Sequence, residues 1–276
     1  MLERFACSPA ETLRMDTAQL REHFLLPELF VPDSLQATYT HYDRMIVGAA
    51  VPATQALELP AYEALRATYF LERRELGIIN IGGAGSVEAD GERFPLGRLD
   101  CLYVGRGTRS VIFHSDDASA PARFYLLSAP AHVAYPTRLM TAEAAQPAPM
   151  GATATANERI IYKYIHEAGI PSCQLVMGLT VLRPGSVWNT MPAHTHHRRM
   201  EAYLYFDVQP EHRVFHLLGT PQETRHLVVA NEQAVLSPPW SIHSGCGTAA
   251  YAFIWGMAGE NQSFADMDAL AIADLK

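Results

Sequence analysis

Short stretches in which apolar and polar residues alternate, closed by glycine, proline or aspartate, recur along most of the chain and predict strands rather than helices. Ser34 to Tyr42 alternates toward Tyr39 and His41, and Met45 to Val51 runs apolar. From Gly77 to Ser115 the turn signals are dense: Ile78-Ile-Asn-Ile-Gly-Gly83, Asp90-Gly91, Leu96-Gly97 and Gly105-Arg-Gly107. Branched residues between them predict a meander or Greek-key barrel, with Asp90-Gly91 the strongest hairpin signal. Gly82-Gly-Ala-Gly85 is not a dinucleotide loop, because a hairpin pattern and not a helix follows it. One helix is expected near Thr17 to Phe24, capped by Asp16 or Thr17.

The pattern then lapses. Thr141 to Asn157 has almost no large side chains and cannot bury a core of its own, so it reads as a linker. Beyond it the punctuated pattern returns. Leu175, Met177, Leu179 and Val181 share one parity within Cys173 to Leu182, and Glu201 to Val208, Val214 to Leu218, Leu227 to Val229, Gln233 to Leu236 and Tyr251 to Trp255 supply further strands. The expected architecture is all-β with a short N-terminal helical segment: a first barrel over 1–140, a linker over 141–157 and a second barrel over 158–276.

Composition narrows the function classes. The chain has 276 residues, 49% hydrophobic and 18% charged, enough to bury a large core. No apolar run approaches the length of a membrane span, and Met1-Leu-Glu-Arg-Phe-Ala-Cys7 has no basic region followed by an apolar one, so a cytoplasmic location is expected. Cys7, Cys101, Cys173 and Cys246 are scattered, which suits a reducing compartment and argues against a thiolate metal site. A formal net charge of −8 argues against a nucleic-acid surface and for a small-molecule partner. Of 21 basic side chains only Lys163 and Lys276 are lysine. Lys163, alternating with apolar residues in Arg159-Ile-Ile-Tyr-Lys-Tyr-Ile-His166, could face a cavity and bind a carboxylate.

The chemistry concentrates in the second half. His194 and His196, two apart, project from one face of a strand. Glu201 breaks that parity, so a turn or bulge in His197-Arg198-Arg199 must re-aim it. His243 arrives from Ser237-Pro-Pro-Trp-Ser-Ile-His-Ser-Gly245, a turn-rich lead into an apolar strand. Three imidazoles and one carboxylate, with Gly185 ahead of the pair and a Pro/Gly-bounded histidine well downstream, match the two-part cupin motif. The first half offers only His114 in the corresponding region, and its barrel is expected to be metal-free.

Longer runs carry a more specific likeness. Tyr69-Phe-Leu-Glu-Arg-Arg-Glu-Leu-Gly77, Trp188-Asn-Thr-Met-Pro192, His194-Thr-His-His-Arg-Arg-Met-Glu201, Pro221-Gln-Glu-Thr-Arg-His226, Trp240-Ser-Ile-His-Ser-Gly245 and Phe253-Ile-Trp-Gly-Met257 resemble the bacterial 5-keto-4-deoxyuronate isomerase family. The resemblance spans nearly the whole chain. It implies a bicupin, one zinc ion held by His194, His196, Glu201 and His243, a homohexamer, and a place in pectin and polyuronide breakdown. The implied reaction takes 5-dehydro-4-deoxy-D-glucuronate to 3-deoxy-D-glycero-2,5-hexodiulosonate through a cis-enediolate. His197 departs from the pattern, standing where an acidic residue is expected.

Glu201 and Tyr203 are the candidates for proton transfer, with Tyr205 of the same parity able to line the same cavity, and Arg225, Arg199 or Lys163 could hold the substrate carboxylate. Other readings remain open. They are 5-deoxyglucuronate isomerase of inositol breakdown, an Fe- or Mn-dependent cupin oxygenase, and a sugar-binding cupin without catalysis.

Overall fold

A computed structural model describes residues 1–276. Each half of the chain forms a jelly roll in which a seven-stranded sheet faces a four-stranded one, so the expected barrels are closed by packing between sheets rather than by one continuous ladder. In the first half the large sheet runs in the order Leu2–Arg4, Ser34–Thr40, Ile46–Val51, Phe124–Pro130, Arg74–Asn80, Cys101–Val104, Arg138–Met140. Its partner sheet contains Leu57–Glu58, Val111–Ser115, Gly85–Ala89 and Glu92–Leu96. The pairing is antiparallel except where Leu2–Arg4 lies parallel to Ser34–Thr40. No helix is long and apolar enough to cross a membrane.

The second half repeats this order with Ala148–Met150, Arg159–Ile165, Val176–Leu182, Ala252–Gly259, Arg199–Phe206, Gln233–Ser237 and Leu25–Leu26. Trp188–Asn189, Ser244–Gly247, Val214–Thr220 and Glu223–Val229 form the facing sheet. Two features of this half lie outside the sequence expectation. Leu25 and Leu26, from the first half of the chain, pair with Val235 and Ala234 and form the last strand of the second large sheet. Ala148–Met150, within the stretch read as a linker, pairs with Arg159–Ile161 as the first strand of that sheet.

The two large sheets pack against each other, which explains why their strands are apolar on both faces. In the strand Arg74–Asn80, Ile78 joins the core inside the first jelly roll while Ile79 joins the core shared with the second. Val47, Tyr125 and Leu127 meet Leu175, Met177 and Val176 in that shared core. Local signals hold where the chemistry is local. Asp90 and Gly91 take φ of 48° and 86°, the left-handed pair a tight two-residue hairpin requires, between Gly85–Ala89 and Glu92–Leu96. Thr17–Phe24 is a helix whose Asp16 cap accepts from the Gln19 amide at 2.8 Å.

Candidate metal centre

His194, His196, Glu201 and His243 converge at one end of the second jelly roll, their donor atoms all within 4.8 Å of one another. The strand that carries the first histidine is short: His194–Thr195, paired with Asp268–Ala269 from the C-terminal segment. The chain then turns at His197 and Arg198, leaving the His197 side chain exposed, and restarts as Arg199–Phe206 with Glu201 buried and facing the histidines. This is the re-aiming that the broken parity required. His243 comes from across the jelly roll, directly ahead of Ser244–Gly247.

The arrangement fits a divalent cation. The Nδ1 of His196 lies 2.9 Å from the Arg199 carbonyl, which can only accept, so Nδ1 carries the proton and Nε2 presents a lone pair. That lone pair faces Glu201 Oε2 at 2.9 Å, and Oε2 is also 3.0 Å from His243 Nε2. His243 Nε2 in turn sits 2.9 Å from His194 Nε2. Burial lowers the pKa of His194 to about 4 and that of His243 well below the usual range, so both are neutral at pH 7. At His196 and Glu201 two acceptors oppose each other, and they repel at this distance unless a cation lies between them. Donor atoms about 2 Å from a common ion are spaced much as these are. Ser237 Oγ, 3.3 Å from His243 Nδ1, and the Arg199 carbonyl steady the rings from behind.

A cavity of about 280 Å³ opens over this cluster. His194, Glu201, Tyr203, Thr190 and Arg159 bring polar groups to it, while Phe253, Trp255, Met257 and Phe264 make its apolar wall. Tyr203 stacks on Phe253 with ring centres 5.4 Å apart, and its hydroxyl lies 3.2 Å from Thr190 Oγ1 and against the Glu201 carboxylate. Burial, reinforced by the Glu201 charge, pushes its phenol well up, so it stays protonated and acts as a donor. Behind it Tyr205 bonds His216 Nδ1 at 2.7 Å instead of reaching the cavity.

His216 yields a pH prediction. Burial lowers its pKa to about 3, so the folded state keeps it neutral while the unfolded chain binds a proton below about pH 6.5. Its contribution is therefore complete above that pH and is lost as pH falls toward 3. Urea unfolding of the metal-stripped protein at pH 7, 6 and 5 should show stability falling by up to about 1.4 kcal/mol per unit for this imidazole. A His216→Gln variant should show a shallower slope. Equal slopes would refute the assignment.

The expected carboxylate-binding residues separate. Arg199 lines the cavity, yet its guanidinium donates to the carbonyls of Ser263 (2.6 Å) and Asp266 (3.0 Å), holding the C-terminal segment in place. Lys163 stands behind Phe264, its ammonium 4.9 Å from the ring centre. Arg225 is not at the site. It lies on Glu223–Val229 of the small sheet, bonded to Glu223 (2.5 Å) and to the Leu13 carbonyl (3.0 Å), because that strand's neighbours are the N-terminal residues rather than the cavity. Arg159, which the sequence reading passed over, does line the cavity, and its parity with Lys163 in the strand Arg159–Ile165 was the available signal.

Comparison with known proteins fits this geometry. The family model described as KduI/IolB matches residues 27–273. The chain belongs to the KduI/IolB family. Among relatives, the 4-deoxy-L-threo-5-hexosulose-uronate ketol-isomerase of Halalkalibacterium halodurans is 56% identical over 276 residues, covering 100% of both chains. The protein of the same name from Burkholderia cenocepacia is 58% identical over 264 residues, 95% of each. Identity of this extent over the whole chain makes this KduI/IolB member an isomerase. A solved IolB-like protein from Salmonella typhimurium superposes with a TM-score of 0.70 at 16% identity, covering 90% of this chain and 96% of that one. Bacillus subtilis oxalate decarboxylase OxdC superposes at 0.55 with 10% identity, covering 81% and 71%. These two show the shared fold.

Proposed function

We propose that this KduI/IolB isomerase converts 5-dehydro-4-deoxy-D-glucuronate, also named 4-deoxy-L-threo-5-hexosulose uronate, to 3-deoxy-D-glycero-2,5-hexodiulosonate. The observation that carries the reading is the cluster of three imidazoles and one carboxylate at a mostly apolar cavity, in a chain whose full-length relatives bear that ketol-isomerase name. His194, His196, Glu201 and His243 would hold one divalent ion, zinc by family resemblance. Such an ion supplies Lewis acidity, drawing electron density from a carbonyl and its neighbouring hydroxyl.

The protein groups do the rest. The aldose-to-ketose change moves a proton between adjacent carbons with no net redox change. Glu201, at the cavity floor, takes the proton from the carbinol carbon and returns it to the neighbour. The Tyr203 phenol, kept protonated by burial, gives its proton to the carbonyl oxygen and takes one back from the neighbouring hydroxyl as that carbon becomes the ketone, so the phenol is restored. Arg159 at the rim meets the substrate carboxylate. Phe253, Trp255 and Met257 exclude water, which strengthens each polar contact. The same reading extends to a cytoplasmic homohexamer in polyuronide breakdown, with the first jelly roll as a scaffold free of metal ligands.

Elemental analysis of the purified protein, combined with an isomerisation assay and an oxygen electrode, tests the proposal. Zinc, turnover and no oxygen uptake are expected. Oxygen consumption would point to the oxygenase reading. Tyr203→Phe should keep its metal and lose about 10²-fold in kcat, the low end of what a positioned proton donor contributes. Undiminished turnover would remove Tyr203 from the mechanism.

A further inference from the structure

The first jelly roll has its own cavity at the end that corresponds to the metal centre. Its volume is about 600 Å³, and Tyr39, His41, Arg44, Arg73, Arg74 and Glu3 bring their side chains to it. The correspondence follows from strand register. Arg74 opens its strand opposite Pro130, the last residue of Phe124–Pro130, and Arg199 opens its strand opposite Gly259, the last residue of Ala252–Gly259. Two residues on, Leu76 pairs with Val104 as Glu201 pairs with Ser237. Leu76 therefore occupies the place of the metal-type carboxylate, and Arg73-Arg74 the place of Arg198-Arg199.

The two arginine pairs are treated differently. In the second half the C-terminal segment folds back over them: Asp266 and Asp268 reach Arg198 at 2.7 and 2.9 Å, and carbonyls of Ser263 and Asp266 take Arg199. Arg74 is only 7% exposed, yet its guanidinium donates to Ser128 Oγ (3.0 Å), the Ser128 carbonyl (2.8 Å) and the Arg44 carbonyl (2.6 Å), all neutral groups. Arg44 is exposed and forms no ion pair. Glu3 is taken by His41 at 2.7 Å, and Arg73 has Glu72 at 3.6 Å. A nearly buried cation that forms no direct ion pair and feels only the longer-range field of Glu75, facing a cavity beside a second free guanidinium, carries a large desolvation cost.

We propose that this cavity binds a small organic acid, its carboxylate held by Arg74 and Arg44 and its hydroxylated body lying against Tyr39 and His41. Nε and Nη2 of Arg74 are taken by the neutral acceptors, which leaves its Nη1 for one charge-assisted hydrogen bond, while the uncommitted Arg44 guanidinium offers the fork that matches a carboxylate in two parallel hydrogen bonds. Burial lowers the Arg74 pKa to about 10, so it remains cationic at neutral pH. The site is independent of the chemistry assigned to the second jelly roll.

Calorimetric titration of D-galacturonate into the metal-loaded protein, with crystals of the same protein soaked in that acid, provides the test. A saturable phase is expected, with the carboxylate seen at Arg74. Arg44→Glu should weaken that phase by about tenfold or more, and Arg44→Gln by less. Thermal melts establish that each variant is folded, and if Arg44→Glu is not, Arg44→Gln carries the comparison. Unchanged affinity in the folded variants, or ligand density only over Glu201, would overturn the proposal. So would inorganic phosphate occupying the Arg74 cavity when D-galacturonate does not.

Discussion

His243→Ala is expected to abolish metal retention and isomerisation together while leaving the protein folded. His243 is fully buried, its Nε2 is 2.9 Å from His194 Nε2 and 3.0 Å from Glu201 Oε2, and it alone reaches the cluster from the facing sheet. Without it the remaining donors lie on one short stretch, His194 to Glu201, and can hold an ion from one side only. A loss of about 10³-fold or more in kcat/KM is expected, equivalent to about 4 kcal/mol at 1.36 kcal/mol per tenfold. The fold should survive, because the ring packs mainly against Tyr203 and the other two imidazoles of the cluster, at ring-centre distances of 4.5 to 5.6 Å. Two measurements decide the matter. Metal content should fall from one ion per chain toward zero, and added metal should raise the melting temperature of the parent protein but not of the variant. Turnover retained in a metal-free sample would sink the mechanism.

How much of this site could be read from the chain depended on sequence distance. His194, His196 and Glu201 are close together, and strand periodicity alone required the turn at His197 and Arg198 that the structure contains. Asp90-Gly91 and the Asp16-capped helix were legible for the same reason: each is decided by the conformational preference of one or two residues. What was not legible is set by tertiary partners. The segment from Asn261 to Ala269 has no apolar period, and its course is fixed by tertiary contacts: the Arg198 and Arg199 guanidinium groups, the ribbon to His194–Thr195, the Gln262 amide on the Ser172 carbonyl and Phe264 against Trp255. Arg225 lay outside the expected strand Leu227 to Val229, whose true start is Glu223, and nothing local tells which sheet that strand joins or that it lies against the N-terminal residues. Leu25 and Leu26 follow directly on the expected helix with no strand signal of their own, and their pairing with Val235 and Ala234 is a long-range event.

Replacing Glu75 by alanine should cost more stability than any other single change at the junction of the two halves. Glu75 is fully buried on the face of its strand that points away from Leu76, toward the second jelly roll. Its carboxylate accepts from the backbone amides of Cys173 (2.7 Å), Gln174 (2.8 Å) and Leu175 (2.8 Å) and from the Tyr103 hydroxyl (2.9 Å). Four donors around one carboxylate replace its lost hydration, and the three amides belong to a turn that has no ladder partner of its own. Alanine leaves all of them unpaired, at roughly 1–3 kcal/mol for each buried donor, though partial relaxation keeps such losses well short of additive. A net destabilisation of about 3–5 kcal/mol is expected, the range seen when a buried charge network loses one member. Glu75→Gln keeps the shape but turns one acceptor into a donor facing other donors, so it should recover little. Urea unfolding gives the difference directly, and the metal content of the folded fraction should be unchanged, since Glu75 lies on the opposite face of its strand from the position equivalent to Glu201. A loss below about 1 kcal/mol would mean that water replaces the carboxylate and that the shared apolar core alone joins the two halves.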